Sequence, residues 1–263
     1  MGICNVTPDS FSDGGRYVEP RAGVAHGMAM IEAGADIVDV GGESTRPGAG
    51  RIEAGEELTR VLPVVEGLAR RGAVVSIDTM RADVARRAVE VGAVIVNDVS
   101  GGLADPAMYG EVARADAIYI LMHWRGHSTV MDRLDHYTDV VGEVRSELAE
   151  RVAAARAAGI ASDRIVLDPG LGFAKTSARN WPLLAQVDAL ETLGYPVLVG
   201  ASRKRFLADA IGDRTDALDA ATAAVSALAA ARGAWAVRVH DVALSATAVA
   251  VAARWRSEGG NLA

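Results

Sequence analysis

Apolar residues in this chain gather in short, β-branched runs separated by longer amphipathic stretches. The runs are GICNV (2–6), DIVDVGG (36–42), VVSID (74–78), VIVND (94–98), IYILMH (118–123), IVLDPG (165–170), PVLVGAS (196–202) and AVRVH (236–240). Their apolar positions are nearly continuous, the pattern of strands covered on both faces. Between them, Leu58, Val61, Leu62, Val65 and Leu68 share one helical face, as do Val140, Val144, Leu148 and Val152. Leu183, Val187 and Leu190 form another stripe, and the Ala-rich stretch 217–233 is good helix material. Pro63 is expected to bend the second helix. Gly34, Gly72, Gly92, Gly159 and Gly194 each fall a few residues before the next run, where helices stop.

Eight alternations of strand and helix in 263 residues predict an α/β fold, a (β/α)8 barrel, as a single domain over 1–263. The alternative, a doubly wound open sheet, usually has fewer strands, and no G-x-G-x-x-G follows the first run. No linker, low-complexity tract or second domain is visible. No apolar run reaches the roughly eighteen residues of a membrane span. The start, MGICNVTPD, lacks the basic region and apolar core of a secretory leader. The single cysteine, Cys4, excludes an internal disulfide and fits a reducing compartment. A cytoplasmic protein is therefore expected, and the sequon Asn5-Val6-Thr7 is read as chance. The net charge of −7 argues against a nucleic-acid partner, which calls for a basic face. Of 27 lysines and arginines only Lys175 and Lys204 are lysine, and both lie in Gly-rich segments just after apolar runs.

In such a barrel, the C-terminal strand ends build the active site. The ends of these runs supply Asn5; Asp39 and Glu43; Asp78; Asn97 and Asp98; His123; Asp168; Ser202, Arg203 and Lys204; Arg238 and His240. A single acid such as Asp78 or Asp98 is as readily a cap for the following helix. A full ring of carboxamides, carboxylates and cations is not explained that way. Asp78, Asn97 and Asp168 suit a flat heterocycle with several N–H groups, which carboxylates pair with much as they pair with arginine. Arg203 and Lys204, with Arg238 and His240 two apart on one strand face, suit an anion or phosphate. Gly-rich loops recur at 12–15, 41–50 and 168–176, where backbone can approach a ligand. The five histidines show no metal-ligand spacing, and His26, His127 and His136 read as surface or helix residues. No nucleophile with a base is apparent, and Cys4 reads as packed and inert.

The segments NVTPDSFSDGG, GGESTRPG, SIDT, VNDVSGG, LDPGLGFAKT, GASRKRF and VRVHDV follow one another from Asn5 to Val242. With these motifs the sequence resembles the dihydropteroate synthase family, the sulfonamide targets of folate biosynthesis, over almost its whole length. MHWRG after the fifth run resembles the actinobacterial branch. The resemblance implies condensation of 6-hydroxymethyl-7,8-dihydropterin diphosphate with p-aminobenzoate. It implies that Asp78, Asn97, Asp168 and Lys204 hold the pterin, with Asp168, Lys204 and Arg238 closest to catalysis. Asn5 is implied for Mg2+ and the diphosphate, with Arg46, Arg238 and His240 on the anion. Phe11, Thr45, Pro47, Phe173, Ser202 and Arg203 are implied for p-aminobenzoate, Phe11 on a loop that closes after the pterin is bound. A homodimer through the C-terminal helices is implied too. The chain departs from the family pattern in its start at MG, so a shortened first strand without an N-terminal capping segment is expected. Ala174 stands where relatives carry Gly, and Cys4 where they carry Leu, both mild exchanges. A pterin-binding methyltransferase domain and a catalytically silent pterin-binding paralogue are the competing readings. The methyltransferase domain would not need DSFSDGG, STRPG and the SRK cluster together, as this sequence has them, and the presence of every expected site residue argues against the silent paralogue.

Overall fold

A computed structural model describes residues 1–7, 20–43, 52–127, 130–212 and 214–259. Strands and helices alternate through most of the chain. The order is β1 (Gly2–Asn5), α1 (Pro20–Glu32), β2 (Ile37–Gly41), α2 (Ala54–Ala69), β3 (Val74–Asp78), α3 (Ala82–Glu90), β4 (Ile95–Asp98), α4 (Met108–Ala115) and β5 (Ile118–Met122). It continues with α5 (Val140–Ala157), β6 (Ile165–Asp168), α6 (Ser177–Ala185), α7 (Asp188–Glu191), β7 (Leu198–Val199), α8 (Arg205–Ile211), α9 (Leu218–Ala231), β8 (Ala236–Val237) and α10 (Val242–Ser257). Each of the eight apolar runs became a strand. The five glycines expected at helix ends all have positive φ, from +80° at Gly72 to +118° at Gly92.

β1 to β6 pair in sequence order, all parallel, and β7 pairs with β8. Single parallel bridges close the remaining seams, Leu167 with Val197 and Gly2 with Val239. There, Leu167 N donates to Pro196 O at 2.8 Å and Ile3 N to Val239 O at 2.9 Å. The eight strands therefore close on themselves as a (β/α)8 barrel. β7 and β8 are shorter than runs 196–202 and 236–240 because only two residues of each form a ladder with the other. β1, expected to be short, has four residues, as do β4 and β6.

Strand alternation divides the apolar residues into two cores. Val38, Val40, Val75, Ile77, Val96, Tyr119, Leu121 and Leu167 point outward beneath the helices and join the large core. Ile37, Ile95, Ile120, Val166 and Leu198 point inward and, with Met1, fill the lower part of the barrel. Two residues further along β2 and β4, the inward positions are Asp39 and Asn97, and two further along β6 is Asp168. The barrel is thus sealed by aliphatic side chains below and polar at its C-terminal mouth. Pro63 lies inside α2, and Cys4 is buried under α1, with burial pushing its thiol up to about 12. Among the described residues, no helix is long and apolar enough to cross a membrane.

Candidate active site

Register places the first group of polar residues. Asn5 pairs with Gly41, Gly41 with Asp78, and Asp78 with Asn97, so these strand ends share one rung around the mouth. Asp39 lies one inward step below on β2, fully buried. Arg238, just past β8, reaches across to both carboxylates, with Nε to Asp39 Oδ2 and Nη2 to Asp78 Oδ2, each at 2.6 Å. Asn97 Nδ2 donates to the same Asp39 oxygen at 3.0 Å. That bond orients the carboxamide and leaves its oxygen as the acceptor for a ligand. Burial pushes the Asp78 carboxyl up to about 7, although Arg238 pulls it down.

The opposite wall comes from β6 and β7. Asp168 Oδ1 accepts from Gly170 N at 2.7 Å, within a tight turn. Its other oxygen faces the mouth: a Cβ on Gly200 would lie 3.6 Å from Asp168 Oδ2 and 3.9 Å from Lys204 Nζ. Glycine at 200 therefore opens the space where carboxylate and ammonium face each other. Lys204, preceding α8, donates to Leu171 O and stands 4.8 Å above the Phe173 ring centroid. Burial pushes Lys204 down to about 8 against the pull of Asp168. Burial raises Asp168, opposed by Lys204, Gly170 N, Arg238 and Lys175.

Ser202 is buried with its Oγ 2.9 Å from His240 Nδ1, and His240 N donates back to Ser202 Oγ at 3.1 Å. Arg203 turns away: its exposed guanidinium forks onto Asp219 of α9 at 2.6 and 2.8 Å. A carboxylate ligand would have to compete with Asp219 for it. Phe11, Thr45, Arg46 and Pro47 lie outside the described residues. Asp98, also on the strand-end roll, serves the fold: Ser100 N, Ser100 Oγ, Gly102 N and Tyr119 Oη all donate to it.

The model of the pterin binding enzyme family matches residues 1–240. The chain belongs to the pterin-binding enzyme family. It is 54% identical over 266 residues to the dihydropteroate synthase of Mycobacterium leprae (strain TN), covering 98% of this chain and 94% of the relative. Among solved structures, it is similar to Xanthomonas albilineans dihydropteroate synthase with 4-aminobenzoic acid. That match has a TM-score of 0.90 and 45% identity, covering 98% of this chain and 92% of the other. The same organism's enzyme in complex with 7,8-dihydropteroate aligns with a TM-score of 0.87 and 43% identity, at 98% and 92% coverage.

This pterin-binding enzyme brings Asn5, Asp78, Asn97, Asp168, Phe173, Ser202, Lys204, Arg238 and His240 to one barrel mouth. Sequence reasoning placed Asp39 there without a role, and its role is to hold Arg238 and Asn97. It missed Glu147, whose carboxylate reaches His123 Nε2 at 3.0 Å. No periodic signal singles out one glutamate on a helix as charged as α5. It also missed Arg81, which bonds Glu43, Glu57 and Ile52 O at the base of the β2–α2 connection. Lys175 carried only a compositional hint, as one of two lysines.

Proposed function

We propose that this chain condenses 6-hydroxymethyl-7,8-dihydropterin diphosphate with p-aminobenzoate, releasing 7,8-dihydropteroate and diphosphate. What carries the reading is the convergence of Asp78, Asn97, Asp168 and Lys204 on one mouth, in a chain 54% identical to a dihydropteroate synthase. The carboxylates accept from the N–H groups of the pterin, Asn97 offers its oxygen, and Lys204 donates. The diphosphate is assigned to Asn5, Arg238 and His240, and the arylamine to Phe173 and Ser202; the family motifs add Arg46 to the first group and Phe11, Thr45 and Pro47 to the second. Arg203 belongs with this group only when a carboxylate displaces Asp219.

The chemistry needs no protein nucleophile. The bond between the pterin methylene carbon and the diphosphate oxygen breaks, and its electron pair leaves with diphosphate. The electron-rich dihydropterin carries the positive charge, which the buried Asp168 carboxylate stabilises. The arylamine lone pair then forms the C–N bond, and the nitrogen gives its proton to the released diphosphate. Departure before attack suits this weak nucleophile. It also calls for water to be kept out.

The residues fit a Mg2+ ion that arrives with the diphosphate. A Cβ on Gly41 would come within 3.8 Å of Asn5 Oδ1 and 3.6 Å of Asp78 Oδ2, so glycine leaves an oxygen-lined cradle there. Magnesium commonly uses one or two protein oxygens, with waters and substrate phosphates completing its shell. Asn5 would hold it, and when bound it would neutralise charge on the leaving group. We place the enzyme in the cytoplasm as a homodimer. Exposed Leu228, Leu244, Val251 and Trp255 on the packed pair α9 and α10 support the dimer.

The deciding experiment measures diphosphate release from the pterin diphosphate with and without p-aminobenzoate. A synthase releases diphosphate one for one with dihydropteroate. A methyltransferase domain or a silent pterin-binding paralogue releases none under either condition, and that outcome would sink the reading.

A further inference from the structure

Lys175 is fully enclosed near the end of the β6–α6 connection, and the reaction described above does not use it. Its Nζ lies 3.0 Å from Gly170 O, 3.0 Å from Phe173 O and 2.9 Å from His123 Nδ1. His123, fully buried after β5, presents Nε2 to Glu147 Oε2 at 3.0 Å. Burial would raise the Glu147 carboxyl, but His123 and Arg125 hold it down to about 2, so it is an acceptor. The proton of His123 therefore sits on Nε2, and Nδ1 is an acceptor too. Three acceptors surround one amine, and only an ammonium has three protons to give. Burial pushes Lys175 well below the ordinary lysine value, and the neighbouring Lys204 adds to that push, while Asp168 opposes it. The three acceptors fix the protonated form in place against that pressure.

The two carbonyls held by Lys175 bracket the turn that shapes the pocket. Gly170 supplies the N–H that orients Asp168, Leu171 O accepts from Lys204, and Phe173 carries the ring beneath Lys204. We propose that Lys175 is a positioning residue, relayed through His123 to Glu147, that sets the direction of the Asp168 carboxylate and the Phe173 ring. The proposal rests on the reading of Asp168 as a pterin ligand.

Glu147 makes the relay testable from outside the pocket, because it lies on α5 and is 28% exposed. Lys175→Met removes the donors at similar length. It should raise KM for the pterin diphosphate and for p-aminobenzoate about tenfold or more each, the scale of a lost charged hydrogen bond. Glu147→Ala frees His123 to change tautomer and should raise both KM values in the same direction. Glu147→Gln keeps an acceptor for Nε2 and should restore both to within about twofold of the unsubstituted enzyme. A merely structural role would lower kcat per mole of protein and leave both KM values alone. If Lys175→Met does not fold, the Glu147 pair decides. Asp168→Asn, measured alongside, separates the two levels. If it leaves pterin affinity unchanged, the pterin reading falls and the proposal with it. If it abolishes affinity while Lys175→Met and Glu147→Ala leave both KM values unmoved, the proposal alone is overturned.

Discussion

Arg238 Nη2 donates to Asp78 Oδ2 over 2.6 Å, joining residues 160 positions apart across the mouth of the barrel. The same guanidinium holds the fully buried Asp39 through Nε. It is at once part of the wall and the charge that makes two enclosed carboxylates tolerable.

Arg238→Ala removes the counter-charge of both acids while leaving them enclosed. Breaking a buried pair in this way costs about 3–5 kcal/mol. Denaturant unfolding should show a loss on that scale, and a loss below about 1 kcal/mol would contradict the geometry. In whatever fraction folds, affinity for the diphosphate-bearing substrate should fall much more than affinity for dihydropteroate. Equal losses would remove Arg238 from the anion site.

Lys204→Ala should weaken pterin binding and nearly abolish turnover, and unchanged kinetics would refute its role. Lys204 also predicts a pH dependence. Its folded value is lowered to about 8, so the ammonium is present below that pH and lost above it. The kcat/KM profile for the pterin substrate, which reports the free enzyme, should therefore fall as pH rises through about 8. Its contribution to stability has the opposite sign. Between that value and the ordinary lysine pKa, the unfolded chain holds the extra proton, so the group favours folding more as pH rises. Lys204→Arg should lose the alkaline limb.

Ala174, a mild exchange by sequence, sits at φ +49°, in the left-handed region that glycine adopts freely. Ala174→Gly should relieve that strain and, after glycine's extra chain entropy, stabilise by up to about 1 kcal/mol. Gly170→Ala runs the other way, because its Cβ would lie 2.2 Å from the backbone oxygen of His123 at φ +65°. Thermal melts of the two variants should move in opposite directions, and shifts of the same sign would defeat the argument.

Tyr119→Phe deletes a buried hydroxyl that donates to Asp98 at 2.7 Å. Leaving a buried acceptor short costs about 1–3 kcal/mol. Stability should fall by that amount while kcat and both KM values of the folded enzyme stay unchanged. Altered kinetics would show that Asp98 does more than tie β4 to its following turn.

Local pattern determined much of this protein. Eight β-branched runs with glycine-terminated helices between them specify eight strands and their order, because side-chain period and backbone freedom are properties of neighbouring residues. Asp78, Asn97, Asp168 and Lys204 could be named because a barrel exposes its strand ends. Tertiary structure alone decided which of those polar residues face the barrel mouth and which serve the fold. Asp78 and Asp98 look alike in sequence, each closing a β-branched run. Closure of the barrel sets Arg238 against one, and the pairing of β4 with β5 sets Tyr119 against the other. The Lys175–His123–Glu147 relay joins β5, α5 and the β6–α6 turn, and Arg203 spends its charge on Asp219. Partners 16 to 199 residues apart leave no periodic trace, because their contact is fixed by how the elements pack and not by spacing along the chain.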